Sequence, residues 1–300
     1  MPFPAALRST AVAFVAATAL ALASAPAPAL AAQAPVSYVN FGDSYSAGWG
    51  AFPPTSAFNP AIGSPACLIG GRPDDVTLFS ALKSVSLAGD YACAGAQVGA
   101  SASPVPTILQ QATKAAADGA LNAGTGLVTL TAGGNDVNFG GVIAICAADT
   151  TPQALQCQAA THAGLAAAQQ IDVAGTVATI QGFAAKAHVA WLGYPHLFAT
   201  ADESTTVQAG GGVMSAAAAA VFDVGTDALN TILASKAQAA GAQFVDVTSK
   251  FAGHEIGSSD SWFNLGPLTD FNFHPTATGY AEGYYPAMVS GIKPTQLVTG

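Results

Sequence analysis

Charge is what this chain has least of. Only 8% of its 300 residues are Asp, Glu, Lys or Arg, against about 25% in a typical soluble domain. Its surface must therefore rest on Ala, Ser, Thr, Gln and Gly rather than on networks of ion pairs. Cations are scarcer still, with 8 Lys and Arg against 17 Asp and Glu and a formal net charge of −9. A sparse, acidic surface argues against nucleic acid and anionic membranes as electrostatic partners.

Cysteine is also rare. The four are Cys67, Cys93, Cys146 and Cys157. They include no C-x-x-C pair and no Cys/His cluster at zinc spacing, which argues against a metal site. An even count in an exported chain suggests two disulfides. Three pairings are possible, and the sequence neighbours Cys67–Cys93 and Cys146–Cys157 are the simplest. Long apolar runs are missing after the N-terminus, so no later segment is expected to cross a membrane. Linkers and internal repeats are missing too, which favours one domain over two.

What is present begins with a leader. Arg8 is the only charge in residues 1–31, followed by an apolar run from Ala11 to Ala23 and a Pro-containing segment. This reads as a secretory signal peptide with an A-x-A site at Ala29-Leu30-Ala31, cleaved near Ala31. The run is short for a membrane span, so stable membrane insertion is not expected. Residues 32–300 are then a single secreted, extracellular domain, with 51% hydrophobic residues over the whole chain to build its core.

Along that domain, short β-rich runs alternate with helical stretches. Strands are expected at Val36 to Phe41, Ser86 to Cys93, Gly126 to Thr131, His188 to Gly193 and Gln243 to Val247. Helices are expected over Val76 to Val85, Pro104 to Asp118, Val137 to Ala147 and Ala154 to Ala187, the last broken near Gly175. Two more are expected over Val213 to Ala240 and Thr276 to Ile292. Trp49 to Asp75 reads as a long loop, and Thr248 to Thr269 as irregular. Alternation of this kind argues for an α/β domain, a parallel sheet covered on both faces. Right-handed crossovers make it a three-layer, doubly wound fold.

In such sheets, ligands sit beyond the carboxyl ends of the strands. Three features fall there: Ser44 in Gly42-Asp43-Ser44, Gly95 in Ala94-Gly95-Ala96, and Asn135 in Gly133-Gly134-Asn135-Asp136. A fourth, His274, lies just before the last helix. Acyl transfer needs these residue types. A serine needs a base, His titrates in the useful range, and a tetrahedral intermediate needs fixed N–H donors.

At these residues the sequence resembles the SGNH or GDSL hydrolases. GDSYSAG at 42–48, YACAGA at 91–96, TAGGND at 131–136 and FHPT at 273–276 match their four blocks in order. The closest likeness is to the secreted actinobacterial lipase, esterase and phospholipase branch. The resemblance implies a flavodoxin-like five-stranded parallel sheet, a serine nucleophile and no cofactor or metal. It implies Ser44 as nucleophile and His274 as general base. Its oxyanion hole would be the N–H groups of Ser44 and Gly95 with the Asn135 side chain. Cys93 in the second block corresponds to a disulfide cysteine of that branch.

Two positions depart from the family pattern. The triad Asp three residues before the His is here Phe271, with Asp270 one residue earlier. Either the Phe271 backbone carbonyl or the Asp270 carboxylate is then expected to orient His274. In an extended backbone the two side chains point apart, which favours the carbonyl. A third cysteine pair common in the branch is missing, with Gly257 at one of its positions.

Other polar and aromatic residues receive plainer readings. Asp43 and Asp136 should hold their turns, Trp191 should be core, and His254-Glu255 should be a loop. One of Trp49, Phe52 and Trp262 is expected to line an acyl pocket. The function expected is hydrolysis of carboxylic esters, of lipids or short acyl chains, by a monomer. Deacetylation of a polysaccharide and non-catalytic binding are the alternatives.

Overall fold

The computed structural model describes residues 1–2, 34–51, 56–99, 101–199, 207–209, 212–266 and 270–297. Residues 3–33, which include most of the expected leader, and Phe52 lie outside the described residues.

Five parallel strands form the central sheet: β1 (Val36–Gly42), β2 (Val85–Asp90), β3 (Leu127–Thr131), β4 (His188–Leu192) and β5 (Gln243–Val245). Their order is β2-β1-β3-β4-β5, the flavodoxin-like order of doubly wound sheets. β3 is buried at every position, and β1 at all but Ser37. A strand covered on both faces reads as a continuous apolar run, which is why these two are the plainest in the sequence.

The helices are α1 (Asp75–Ser80), α2 (Ile108–Ala117), α3 (Phe139–Ala148), α4 (Leu155–Ala168), α5 (Val173–Phe183), α6 (Ala216–Ala239), α7 (Thr248–Phe251) and α8 (Tyr285–Ile292). A π-helical segment, Gly279–Tyr284, leads into α8. α1 neighbours α8 on one side of the sheet, and α2, α5 and α6 are neighbours on the other.

Register fixes where the loops meet. Gly42 pairs with Thr131, and Thr131 with Leu192. Strands β1, β3 and β4 therefore end level, and the segments after them emerge side by side. The chain reverses its direction of winding between β1 and β3. Crevices that bind ligands open at such switch points.

Several boundaries differ from expectation for local reasons. The stretch Ala154 to Ala187 is two helices, broken at 169–172 rather than near Gly175. Asp172 caps the second helix by accepting the N–H of Gly175 at 2.8 Å, so that glycine lies inside α5. The helix expected over Val76 to Val85 stops at Ser80, because Val85 already pairs with Val36 in the sheet. The last helix contains a π turn where Phe251 presses on Gly279 and Gly283. The irregular stretch after β5 opens with the short α7. The long loop after β1 carries a two-residue hairpin, Ala57–Phe58 with Leu68–Ile69. By length and composition α6, at 24 residues, is long and apolar enough to cross a membrane, contrary to the sequence expectation. It packs on α4, α5 and β5, with Phe222, Leu229 and Leu233 buried.

Cys67 is bonded to Cys93, and Cys146 to Cys157. The first bridge ties the long loop to the segment carrying Gly95. The second joins α3 to α4.

Candidate active site

The turn after β1 carries Ser44. Gly42 starts it with φ +136°, a value that favours glycine, and an added Cβ would lie 2.6 Å from Ser46 and 2.7 Å from the Thr131 carbonyl. Gln111 on α2 braces the same residue on both sides, accepting the Gly42 N–H at 2.9 Å and donating to its carbonyl at 3.0 Å. Asp43 points inward. Its carboxylate accepts from the Tyr45 N–H at 3.0 Å, the Thr131 hydroxyl at 2.7 Å and the Tyr194 hydroxyl at 2.5 Å. Burial raises its pKa to about 6, and the Tyr194 and Thr131 hydrogen bonds pull the other way. Asp43 therefore holds the turn and leaves Ser44 at its apex.

His274 approaches from the loop before the last helix. Its Nε2 lies 2.8 Å from Ser44 Oγ. Its Nδ1 lies 2.8 Å from the Asn272 carbonyl oxygen. A carbonyl can only accept, so Nδ1 carries the proton and the Nε2 lone pair faces the serine hydroxyl. Desolvation lowers the His274 pKa to about 4, opposed by hydrogen bonds to the Asn272 and Phe271 carbonyls. The imidazole is thus neutral at pH 7, as a base must be.

The 2.8 Å partner of Nδ1 is of the kind expected but lies one residue along from Phe271. It is the backbone carbonyl of Asn272. The Phe271 carbonyl also bears on the imidazole and accepts the His274 backbone N–H at 3.2 Å. The Asp270 side chain is exposed; the residue contributes its carbonyl, which accepts from Trp49 Nε1 at 2.8 Å. The cause is a reversal at Phe273, which has φ +66°. That strained turn is held on both sides. Phe273 N–H donates to the Asn264 carbonyl at 3.0 Å, and its own carbonyl accepts from the Tyr45 hydroxyl at 2.6 Å. The Asn272 side chain is fixed by two hydrogen bonds to the Gly266 backbone, each 2.8 Å. An extended-chain argument does not apply to such a turn.

The donors stand opposite the histidine in this arrangement of loops. Gly95 is exposed with φ +86°. Among the described residues, neither its N–H nor that of Ser44 donates to a protein acceptor. Asn135 spends one amide hydrogen on the Ala96 carbonyl at 2.9 Å, which orients the amide and leaves its second hydrogen available. Two further bonds lace these loops together. Gln97 Nε2 donates to the Asn135 carbonyl at 3.0 Å, and the Asp136 carboxylate accepts the Val98 N–H at 3.1 Å. Asp136 thus bridges two loops rather than only anchoring its own.

Tyr194 lies just past β4. Its hydroxyl accepts the Gly134 N–H at 2.9 Å while donating to Asp43. One side chain therefore joins the Ser44 turn to the Asn135 loop. A tyrosine before a proline carries no signal for that role.

The other candidates are structural. Trp191 is fully buried and donates to the Ala132 carbonyl at 3.1 Å. His254 stacks on Trp262 with ring centroids 3.6 Å apart. Trp49 packs on Phe271 at 4.9 Å. The crevice beside Ser44 is lined instead by Tyr194, Leu197, Phe139, Phe222 and Leu229 among others, and by neither Trp49 nor Trp262.

A neutral histidine on a serine hydroxyl, beside free N–H groups at the end of a doubly wound sheet, is the equipment of acyl transfer. Residues 41–282 match the GDSL-like Lipase/Acylhydrolase family. The chain belongs to that family and so to the carboxylic ester hydrolases. It is 31% identical over 257 residues to lipase 1 of Streptomyces coelicolor, covering 84% of this chain and 85% of that protein. The crystal structure of an extracellular lipase from Streptomyces rimosus superposes with a TM-score of 0.67 at 28% identity, over 85% of this chain and 99% of that one. Phospholipase A1 from Streptomyces albidoflavus gives 0.66 at 28% identity, over 86% and 100%.

Proposed function

We propose that this protein is a secreted serine hydrolase that cleaves lipid or short-chain acyl esters through an acyl-enzyme on Ser44. His274 Nε2 takes the proton from Ser44 Oγ as that oxygen attacks the ester carbonyl. The negative charge that develops is met by the N–H groups of Ser44 and Gly95 and by the Asn135 amide. The imidazolium then protonates the departing alcohol. Water, activated by the same nitrogen, releases the acid and frees the serine.

The observation that carries this reading is the 2.8 Å approach of His274 Nε2 to Ser44 Oγ, with Nδ1 turned to a carbonyl. A dyad backed by a neutral carbonyl fixes the tautomer as a carboxylate would, while stabilising the imidazolium less. Residues 1–31 are proposed as the signal peptide and residues 32–300 as the single catalytic domain. The extracellular location of the Streptomyces rimosus lipase supports export. Hydrolysis of p-nitrophenyl esters of graded chain length by the purified protein tests the proposal. Turnover by the wild type and none by a folded Ser44→Ala variant is the expected result. Comparable turnover by both would refute it.

A further inference from the structure

The crevice at Ser44 does not end there. It holds a cavity volume of about 30 Å³. Phe139, Phe222, Thr226 and Leu229 line it, and the same four line a second apolar cavity of about 50 Å³ between α3, α4 and α6. Thr161, Leu165 and Gly225 in turn line both that cavity and a groove on the outer side of α4 and α6. Residues 222, 225, 226 and 229 form one stripe of α6, at the spacing that puts side chains on a single helix face. Three apolar spaces that share walls therefore mark a path from the serine, between two helices, to the surface beside exposed Val224.

We infer that the acyl chain of the ester lies in this path, and that the contact between Gly225 and Thr161 sets how long a chain is accepted. The inference rests on the proposed acyl-enzyme at Ser44. Direction follows from the chemistry. The leaving alcohol must sit beside His274 Nε2 to receive its proton, and His274 is absent from the lining of the crevice. Ser44 and Asn135 are present in it, so the crevice receives the other side of the ester carbonyl. Its apolar walls suit a hydrocarbon.

Two observations single out the gate. A Cβ placed on Gly225 would lie 2.4 Å from Thr161 Cγ2. Glycine inside a long helix is destabilising relative to alanine, and this one lets α4 approach α6 where the inner cavity meets the outer groove. Thr161 Oγ1 is buried there with no hydrogen-bond partner. A helical threonine commonly bonds back to its own helix, and this one leaves a bare hydroxyl where the inner cavity meets the outer groove.

The test is the ratio of kcat/KM for p-nitrophenyl decanoate to that for p-nitrophenyl butyrate, in wild type, Gly225→Val and Thr161→Ala. Adding bulk in Gly225→Val should lower the ratio at least about tenfold, the scale on which apolar pockets discriminate by methylenes. Removing the hydroxyl and methyl in Thr161→Ala should raise it a few-fold. Equal losses on both esters in Gly225→Val, or an unmoved or lowered ratio in Thr161→Ala, would overturn the inference. Urea unfolding checks that each variant is folded, and if Gly225→Val is not, the Thr161→Ala ratio decides alone. A wild type inactive on both esters would overturn the proposed function itself, whereas butyrate turnover with unmoved ratios would overturn only the acyl path.

Discussion

Tyr194→Phe is the substitution that most sharply tests how the site is held. The phenyl ring keeps the shape of the core, including the edge-on packing against Tyr45 at 5.4 Å. What disappears is one hydroxyl and its two hydrogen bonds, to Asp43 at 2.5 Å and from the Gly134 N–H at 2.9 Å. A hydrogen bond to a charged group contributes about 1.5–3 kcal/mol, and a buried N–H left unpaired costs about 1–3 kcal/mol. The two together predict a loss of about 2.5–6 kcal/mol at pH 8. The loss must depend on pH, and its sign follows from Asp43. Burial has already raised that carboxyl to about 6, above its ordinary range, and the tyrosine hydroxyl restrains the rise. Without it the pKa climbs further, at about 1.4 kcal/mol per unit. At pH 5 Asp43 is protonated in both proteins, so this part of the loss vanishes. At pH 8 it is fully expressed, because the wild type holds the ionised form and the variant must hold it with one donor fewer. Urea unfolding at pH 5 and pH 8 measures the difference, and the variant should lose about 1–2 kcal/mol more at pH 8. Because the hydroxyl also positions the Gly134-Asn135 loop, kcat should fall while KM changes little. Equal destabilisation at the two pH values, with kcat unaltered, would refute the reasoning.

Asn135→Ala should lower kcat by about a hundred- to a thousand-fold with little change in KM, since its free amide hydrogen acts on charge that exists only in the transition state; steady-state kinetics on one ester decide it, and a pure KM effect would assign Asn135 to substrate binding. Asp270→Ala should cost less than about tenfold in kcat, because its side chain is exposed and a backbone carbonyl meets Nδ1, whereas loss of a triad aspartate costs about ten-thousand-fold. The acid limb of kcat/KM, which reports the free enzyme, should centre near pH 4, where His274 gains its proton; a limb at or above the ordinary histidine value of about 6.5 would contradict the burial of the imidazole.

The parts of this account that were legible in the sequence are local ones. Strands β1 and β3 declare themselves because both faces are buried, leaving a mostly apolar, β-branched and aromatic run. The glycines at 42 and 95 are visible because a tight turn with positive φ needs them. The partners of those turns were not legible. Tyr194 lies 151 residues from Asp43, and Gln111 lies 69 from Gly42. Nothing in a tyrosine before a proline, or a glutamine in a helix, announces a bond across that distance. That Asn272 also offers its carbonyl to His274 was not legible for another reason. An extended chain was assumed where Phe273 takes a left-handed conformation, and that conformation is supplied by Asn264 and Tyr45 rather than by Phe273 itself. The helix break at 169–172 was misplaced because Gly175 looked like a stop signal, whereas its N–H is the donor that Asp172 uses to start α5. The extent of α6 was legible to within a few residues, but small residues dilute its apolar pattern and hid how apolar the helix is.

The central claim is that His274 makes Ser44 a nucleophile. Its most direct measurement is covalent labelling by a fluorophosphonate, followed by intact mass and peptide mapping. The reagent needs the activated serine and donors for its phosphoryl oxygen, but no particular acyl chain. One adduct per molecule, located on Ser44, lost in Ser44→Ala and slowed by orders of magnitude in His274→Ala, is the predicted result. An unlabelled wild type, an adduct on another residue, or labelling of Ser44 at an undiminished rate without His274 would contradict the mechanism.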